Sequence, residues 1–162
     1  MMGLNRASTR KTMPAKSQSP AQSLLIGVPF IDNDHQALLE LLDYLLRLEF
    51  TDPYSVLMSE VLSRLFGMLS SHFVSEEGFF TTCGMPAEDV NSHIEAHRQI
   101  LEQYTRLCVD LANKKEMTVA DVTRMVREWI IGHVVKHDLK MRDYVHAKSG
   151  AEDTSDGAAD SA

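Results

Sequence analysis

The sequence predicts an all-α fold, namely an up-down-up-down antiparallel four-helix bundle. Only five prolines and eight glycines occur among the 162 residues, and several lie near the ends, so long stretches contain no helix breaker. Four of those stretches repeat apolar residues with a period of roughly 3.6, which is typical of an amphipathic helix. Short connections join the four segments, so consecutive helices are expected to pack antiparallel.

The first helix is expected to follow the loop sequence IGVPFIDND and to stop near Phe50. Asp32 or Asn33 is placed to cap its amino terminus, because both side chains accept hydrogen bonds from free backbone N–H groups. The expected inward stripe of this helix comprises Ile31, His35, Leu38, Leu42, Leu45 and Glu49.

The second helix is predicted to begin at Asp52 and Pro53, an N-cap residue followed by proline at the first helical position. It is predicted to end at Cys83 and Gly84, because glycine readily adopts the left-handed conformation that closes a helix and Pro86 follows. Its expected inward stripe comprises Leu62, Leu65, Leu69, His72, Glu76 and Phe80.

The third helix is expected to run from about Pro86 to Asn113. The fourth is expected to open at Thr118, where Asp121 completes a capping box with aspartate in place of the usual glutamate. The third stripe comprises Val90, His93, His97, Leu101, Tyr104, Cys108 and Leu111. The fourth stripe comprises Val122, Val126, Trp129, His133, Met141 and Val145.

We expect one folded domain over residues 24–148, flanked by two disordered tails. Residues 1–23 are basic and rich in serine, a composition that fits either a disordered tail or an organelle transit peptide. Residues 149–162 contain four acidic residues and no large apolar one, so they cannot bury enough surface to become ordered.

Composition narrows the range of partners. A net charge of −7 and a pI near 5.4 argue against nucleic-acid binding, which needs a basic surface. No segment approaches the ~20 consecutive apolar residues of a membrane span. Two cysteines, Cys83 and Cys108, form neither a disulfide framework nor a metal-binding spacing, so we expect a reducing, cytoplasmic compartment.

Every predicted helix carries polar groups within or beside its apolar stripe. A single histidine in such a place is usually hydrogen-bonded to a backbone carbonyl, but five of the seven histidines here would each need a separate partner. The pairs His72/Glu76 and His93/His97 each place two groups on one helical face, about 6 Å apart. The sequence therefore predicts a dinuclear metal site. Its expected ligands are His35, His72, Glu76, His93, His97, His133 and Asp138.

Five imidazoles and two carboxylates suit two first-row transition-metal ions such as iron. Calcium and magnesium prefer oxygen ligands and are disfavoured, whereas zinc remains open on ligand type alone. His137 and His146 lack the spacing of the other five and are assigned to the surface. Asp138 follows His133 by five residues, so either the helix is locally wound wide, as in a π-bulge, or Asp138 reaches in from the flank.

Four segments closely resemble the motifs of bacterial hemerythrins: GVPFIDNDH, HFVSEE, CGMPAEDVNSHIEAH and WIIGHVVKHD. The resemblance covers about Leu24 to Tyr144. It implies that one iron is held by His93, His97 and His133, and the other by His35 and His72. It also implies that Glu76, Asp138 and an oxo or hydroxo group bridge the two non-heme irons.

The same resemblance implies that dioxygen binds at an open position on the iron with two histidines. Its pocket would be formed by Leu38, Phe73, Trp129, Ile130 and Val134. These five apolar residues would also serve as ordinary core, because a dry pocket and a core are physically alike.

Reversible dioxygen binding, for transport, storage or delivery, is the function that this pattern favours. Apolar pocket residues supply no general acid to drive O–O cleavage, which argues against an enzyme. The alternatives are an oxygen or redox sensor that acts through a partner, and a di-iron enzyme with peroxidase, ferroxidase or nitric oxide-reducing activity. A metal-free bundle with core histidines is a further alternative. We expect a monomer or weak oligomer, with any protein partner undetermined.

Overall fold

A computed structural model describes residues 24–48 and 52–152 of the chain. Helix α1 spans Pro29–Arg47, α2 spans Val56–Cys83 and α3 spans Ala87–Ala112. The fourth helix is built from four consecutive segments, two α-helical at its ends and two π-helical between them. These are Val119–Arg127, Glu128–Gly132, Val134–Asp138 and Leu139–Glu152. No strand occurs within the described ranges, and the predicted all-α fold is confirmed.

The helices pack as an up-down-up-down antiparallel bundle. Phe30, at the start of α1, contacts Phe79, near the end of α2, with 5.8 Å between the ring centroids. Tyr144, late in the fourth helix, donates a 2.8 Å hydrogen bond to Asp89 at the start of α3. A short turn at residues 84–86 reverses the chain between α2 and α3. Each helix therefore runs against its sequence neighbour.

The start of α1 differs from the prediction. Val28 is the N-cap residue and Pro29 occupies the first turn, so the helix begins before Asp32 and Asn33. The Asp32 carboxylate instead accepts hydrogen bonds from the backbone N–H groups of Ile26 at 2.7 Å and Gly27 at 3.0 Å. Asp32 therefore fastens the preceding loop to the helix. The described part of α1 ends at Arg47, and the predicted stop at Phe50, together with Glu49, lies outside the described residues.

The start of α2 also differs from the prediction, whereas its end is confirmed. Ser55 is the N-cap, and its side chain accepts a 3.2 Å hydrogen bond from the backbone N–H of Met58. Asp52 accepts from the N–H of Tyr54 at 2.9 Å, which makes the Asp-Pro pair a turn before the helix rather than its first residues. Gly84 closes α2 with φ of 78°, a conformation that favours glycine.

The predicted limits of α3 are confirmed, since Pro86 and Asn113 flank the helix directly. The capping box of the fourth helix is confirmed as well. The fourth helix continues to Glu152, although the predicted tail begins at residue 149. Residues 1–23 and 153–162 lie outside the described residues, so the tail assignments remain predictions.

Two clusters of buried apolar side chains form the core. The larger contains residues such as Leu42, Leu65, Leu107 and Val126, and the smaller contains Ile26, Phe80 and Met141. The predicted metal-ligating residues lie along each helix between these two clusters. None of the helices in the described ranges is long and apolar enough to span a membrane.

Candidate metal centre

All four helices direct polar side chains into one region of the core. The seven residues predicted as ligands are all buried, with exposed fractions between 0% and 5%. They are His35 from α1, His72 and Glu76 from α2, His93 and His97 from α3, and His133 and Asp138 from the fourth helix. The structure thus brings together every residue that the sequence analysis assigned to the site.

These side chains form two groups whose ligand atoms all lie within 4.8 Å of one another. The first group is Glu76, His93, His97 and His133. The second group is His35, His72, Glu76 and Asp138. Since Glu76 belongs to both groups, the two potential ion positions are adjacent.

Three imidazole nitrogens converge in the first group. The Nε2 atom of His133 lies 3.0 Å from Nε2 of His93 and 3.1 Å from Nε2 of His97. Two nitrogens that each lie about 2.1 Å from one ion, at right angles, are separated by roughly 3.0 Å. The observed spacing is therefore the spacing of adjacent ligands in an octahedral shell.

The second group contains two imidazoles from facing helices. The rings of His35 and His72 pack edge to face with 4.8 Å between their centroids. Nε2 of His35 lies 3.0 Å from Oδ2 of Asp138, and Nε2 of His72 lies 3.6 Å from Oε2 of Glu76. This group offers two nitrogens, one fewer than the first.

The two carboxylates reach across both groups. Oε2 of Glu76 lies 3.2 Å from Nε2 of His97 and 3.6 Å from Nε2 of His72. Oδ1 of Asp138 lies 3.0 Å from Nε2 of His133, while its Oδ2 faces His35. Within the described part of the chain, all four oxygens are buried without a hydrogen bond of acceptable geometry. Such orphaned acceptors are costly, and two shared cations would satisfy them.

Burial holds His72 and His97 in the neutral form that coordinates metals. Burial lowers the pKa of His72 to about 3, and the neighbouring His35 adds to the effect. Burial also lowers the pKa of His97 to about 2, with additional repulsion from His133 and His93. A neutral imidazole presents a lone pair to a cation, whereas a protonated one does not.

The pKa values of the two buried carboxyl groups shift in opposite directions. Burial raises the pKa of Glu76 well above its usual value, and the negative charge of Asp138 raises it further. Burial alone would raise the pKa of Asp138, but close contacts with His133, His35 and His93 outweigh it and hold that pKa well below its usual value. Metal ions between the two carboxylates would remove the repulsion that keeps Glu76 protonated.

The π-helical turns explain how Asp138 joins His133. A π-helix hydrogen-bonds from residue i to i+5, so two residues five apart share one face. The segment Val134–Asp138 is π-helical, and both His133 and Asp138 point into the core. Of the two alternatives left open by the sequence, the widened helix is the one observed.

Two carboxylates outside the predicted set face the Nδ1 atoms of His97 and His72, on the side of each ring away from the centre of the site. Oε1 of Glu77 lies 2.9 Å from Nδ1 of His97, and Oδ2 of Asp34 lies 3.6 Å from Nδ1 of His72. A carboxylate on the far nitrogen of a metal-binding imidazole fixes its tautomer and orientation. Both acids directly neighbour predicted ligands in sequence, and that adjacency was the available signal.

The assignment of His137 to the surface is wrong. Its ring is partly buried and stacks on His133, with 5.1 Å between centroids and 19° between ring planes. The π-helical winding turns this side of the helix toward the site, which an ideal helical wheel does not anticipate. His146 is exposed, as predicted.

The five predicted pocket residues form an apolar wall beside the site. Each is at most 4% exposed. The Phe73 ring stacks on His97 at 3.9 Å and lies 5.7 Å from His72, so it contacts both groups. The five residues of this wall are Leu38, Phe73, Trp129, Ile130 and Val134.

Fold and site together define a four-helix bundle with two adjacent buried groups of side chains that fit a metal site. Residues 26–145 match the family model described as the hemerythrin HHE cation binding domain, and the chain belongs to that family. Relatives named bacteriohemerythrin, from two strains of Campylobacter jejuni, are 25% identical over 118 residues. That alignment covers 73% of this chain and 87% of each relative. No solved structure gives a significant match.

Proposed function

We propose that this chain holds two non-heme iron ions and binds dioxygen reversibly, as an oxygen carrier, store or delivery protein. One observation carries the proposal: two adjacent groups of buried imidazoles share the carboxylates of Glu76 and Asp138. The names of the distant relatives point the same way.

In this proposal His93, His97 and His133 would hold one iron, and His35 and His72 would hold the other. Glu76 and Asp138 would supply carboxylate oxygens to both ions. Mixed nitrogen and carboxylate donors suit iron, whereas calcium and magnesium favour all-oxygen shells. The iron pair would supply reversible two-electron exchange with dioxygen.

The protein's own contribution is to keep water away from the site. Leu38, Phe73, Trp129, Ile130 and Val134 are buried and offer no acid or base to the pocket. Excluding water strengthens the electrostatic interactions inside a site and suppresses proton leakage. Dioxygen bound beside His35 and His72 would lie behind this apolar wall. Its release is therefore favoured over its reduction.

One observation supports an enzyme as the second candidate. A polar groove of about 130 Å³ between α3 and the fourth helix reaches His133. Glu128, Lys136 and the partly buried His137 line it. These groups would give protons a route to the three-histidine side, which peroxidase-like turnover needs.

An oxygen titration of the reduced, iron-loaded chain separates the two candidates. The carrier proposal predicts an optical change on adding oxygen that reverses when oxygen is removed, over repeated cycles. Steady consumption of hydrogen peroxide or nitric oxide by the same sample, or an irreversible optical change in the first cycle, would support the enzyme instead.

A further inference from the structure

The single tryptophan of the chain lies beside the metal centre. Trp129 is 2% exposed and precedes His133 by one helical turn. Its indole Nε1–H donates a 2.8 Å hydrogen bond to the side-chain carbonyl oxygen of Gln103. An amide oxygen is a very weak base, so it orients the indole without removing its proton.

Tyr104 connects this tryptophan with the outside of the bundle. The centroids of the Trp129 and Tyr104 rings are 6.3 Å apart. Tyr104 is half-buried and borders a groove of about 380 Å³ between the start of α2 and the end of α3. The Phe66 ring stacks on Tyr104 at 4.8 Å and holds it in place. Two oxidisable rings therefore lead from the buried site to a solvent-facing groove.

We propose that Trp129 and Tyr104 form a redox relay that carries oxidising equivalents from the metal pocket to the groove between α2 and α3. The relay rests on the proposed function, because a site that handles dioxygen risks forming peroxide when reversal fails. Indole and phenol side chains lose an electron far more readily than the phenyl and imidazole rings around them. The relay would divert damage from the buried ligands.

In one pass, a single electron moves from Tyr104 through Trp129 to the oxidant in the pocket. A peroxide-class oxidant in the pocket takes one electron from the Trp129 indole, whose N–H proton stays on the hydrogen bond to Gln103. The oxidised indole then takes one electron from Tyr104, and the phenol releases its proton toward the groove. A low-molecular-weight thiol in solvent returns one hydrogen atom to Tyr104. Two passes reduce one hydrogen peroxide to two waters and join two thiols as a disulfide. The two protons that the peroxide takes up enter from solvent through the groove at His133, and they balance the two that Tyr104 releases.

The environment of Tyr104 suits the second step. Burial raises the pKa of Tyr104, and a hydrogen bond with Cys108 raises it further. The phenol therefore keeps its proton until its electron leaves. Cys108 borders the same groove, where small solutes gain access.

Tyr54 provides a matched control. It borders the same groove, and its hydroxyl donates to the backbone oxygen of Lys115 at 2.7 Å. Among the ring contacts of the described residues, Tyr54 does not reach Trp129. Tyr54→Phe therefore removes a phenol from the groove but leaves the relay intact, and Tyr104→Phe breaks the relay while keeping the ring that stacks on Phe66.

The first experiment treats the iron-loaded full chain with a pulse of hydrogen peroxide and follows radicals by freeze-quench electron paramagnetic resonance. The wild type and Tyr54→Phe should give a tyrosyl radical that Tyr104→Phe lacks. Peptide mass mapping should show several-fold more oxidation of Trp129 in Tyr104→Phe. An equal radical yield, or equal Trp129 oxidation, in all three proteins would overturn the relay.

The second experiment separates the relay from oxygen chemistry. Laser photo-ionisation oxidises the single tryptophan in the zinc-loaded full chain, where no iron takes part. Decay of the tryptophan radical should match growth of a tyrosyl radical, and Tyr104→Phe should lengthen the tryptophan radical's lifetime several-fold. Equal lifetimes would refute the relay even if oxygen binding is confirmed. Failure to bind oxygen, with the lifetimes as expected, would refute the proposed function alone.

Discussion

Replacing Glu76 by glutamine should stabilise the metal-free protein and weaken metal binding. Glu76 is 0% exposed, and burial together with Asp138 raises its pKa well above the usual value. Glutamine keeps the shape of the side chain but removes the carboxyl group. When charged, that group is buried and repelled by Asp138, and keeping it protonated at neutral pH costs free energy. The same substitution removes a carboxylate that belongs to both ligand groups.

The size of the first effect follows from the geometry. Carboxylate oxygens of Glu76 and Asp138 lie within 4.8 Å of each other. Two unit charges at that distance repel by roughly 3.5 kcal/mol at an effective dielectric constant of about 20. Keeping a carboxyl of reference pKa 4.5 protonated at pH 7 costs up to about 3.4 kcal/mol, at 1.36 kcal/mol per unit. We therefore expect Glu76→Gln to add about 2–3 kcal/mol to metal-free stability, or roughly 5–10 °C in Tm.

Paired thermal melts with and without ferrous iron, under nitrogen, test both effects. The wild type should gain about 2.7 kcal/mol at an iron concentration a hundred times its Kd, and Glu76→Gln should gain far less. Glu60→Gln, an exposed change on the same helix, should leave both melts within about 0.5 kcal/mol of the wild type.

The stability gained by Glu76→Gln should depend on pH. The pKa of Glu76 is higher in the folded state than its reference value of 4.5, so the ionised group destabilises the folded protein. As pH falls from the folded pKa toward 4.5, the group becomes protonated in the folded state and this destabilisation decreases. The advantage of Glu76→Gln should therefore shrink on acidification. A metal-free variant that melts below the wild type at pH 7, or an iron-induced Tm gain equal to that of the wild type, would refute the reasoning.

Four further outcomes are expected. His133→Ala should lower the iron content measured by elemental analysis, whereas His137→Ala and His146→Ala should leave it unchanged. A large loss of iron in either of these two controls would show that the ligand set is wrong. Because burial holds the folded pKa of His72 near 3 against a reference of 6.5, the metal-free protein should lose stability as pH falls from about 6.5 toward 3 in denaturant titrations. Iron should also leave the loaded protein as the pH falls, because a protonated imidazole cannot coordinate it. Full retention of iron at pH 4 would contradict this. Leu38→Glu should keep the helical circular dichroism but shorten the lifetime of the oxygenated form by admitting charge and water, and an unchanged lifetime would place the pocket elsewhere.

Periodicity predicted the bundle because apolar stripes must be buried, whatever the details of the helix ends. Among the helix starts, the prediction failed only at those of α1 and α2, where a single hydrogen bond decides which residue caps the helix. Asp52 and Asp32 both have the chemistry of an N-cap, yet both accept hydrogen bonds from loop backbone instead. Ser55, three residues after Asp52, caps α2. Sequence alone does not rank such neighbouring caps, since their energies differ by less than about 1 kcal/mol.

The candidate ligands could be predicted because burying a polar side chain costs free energy, so each one in an apolar stripe needs an explanation. Buried imidazoles such as His93 interrupt an apolar stripe and are visible in the sequence. The positions of Glu77 and His137 were not visible, because each depends on the geometry between helices or on the π-helical winding. An ideal helical wheel places such residues on an outer face, whereas the structure brings both into contact with predicted ligands.

The number of iron atoms bound per chain shows whether the two overlapping groups of buried imidazoles and carboxylates each hold one ion. Elemental analysis of the chain, reconstituted with ferrous iron under nitrogen and freed of unbound metal, should give two irons per chain. A value of one or less would contradict the dinuclear centre, and the oxygen-binding proposal would fall with it.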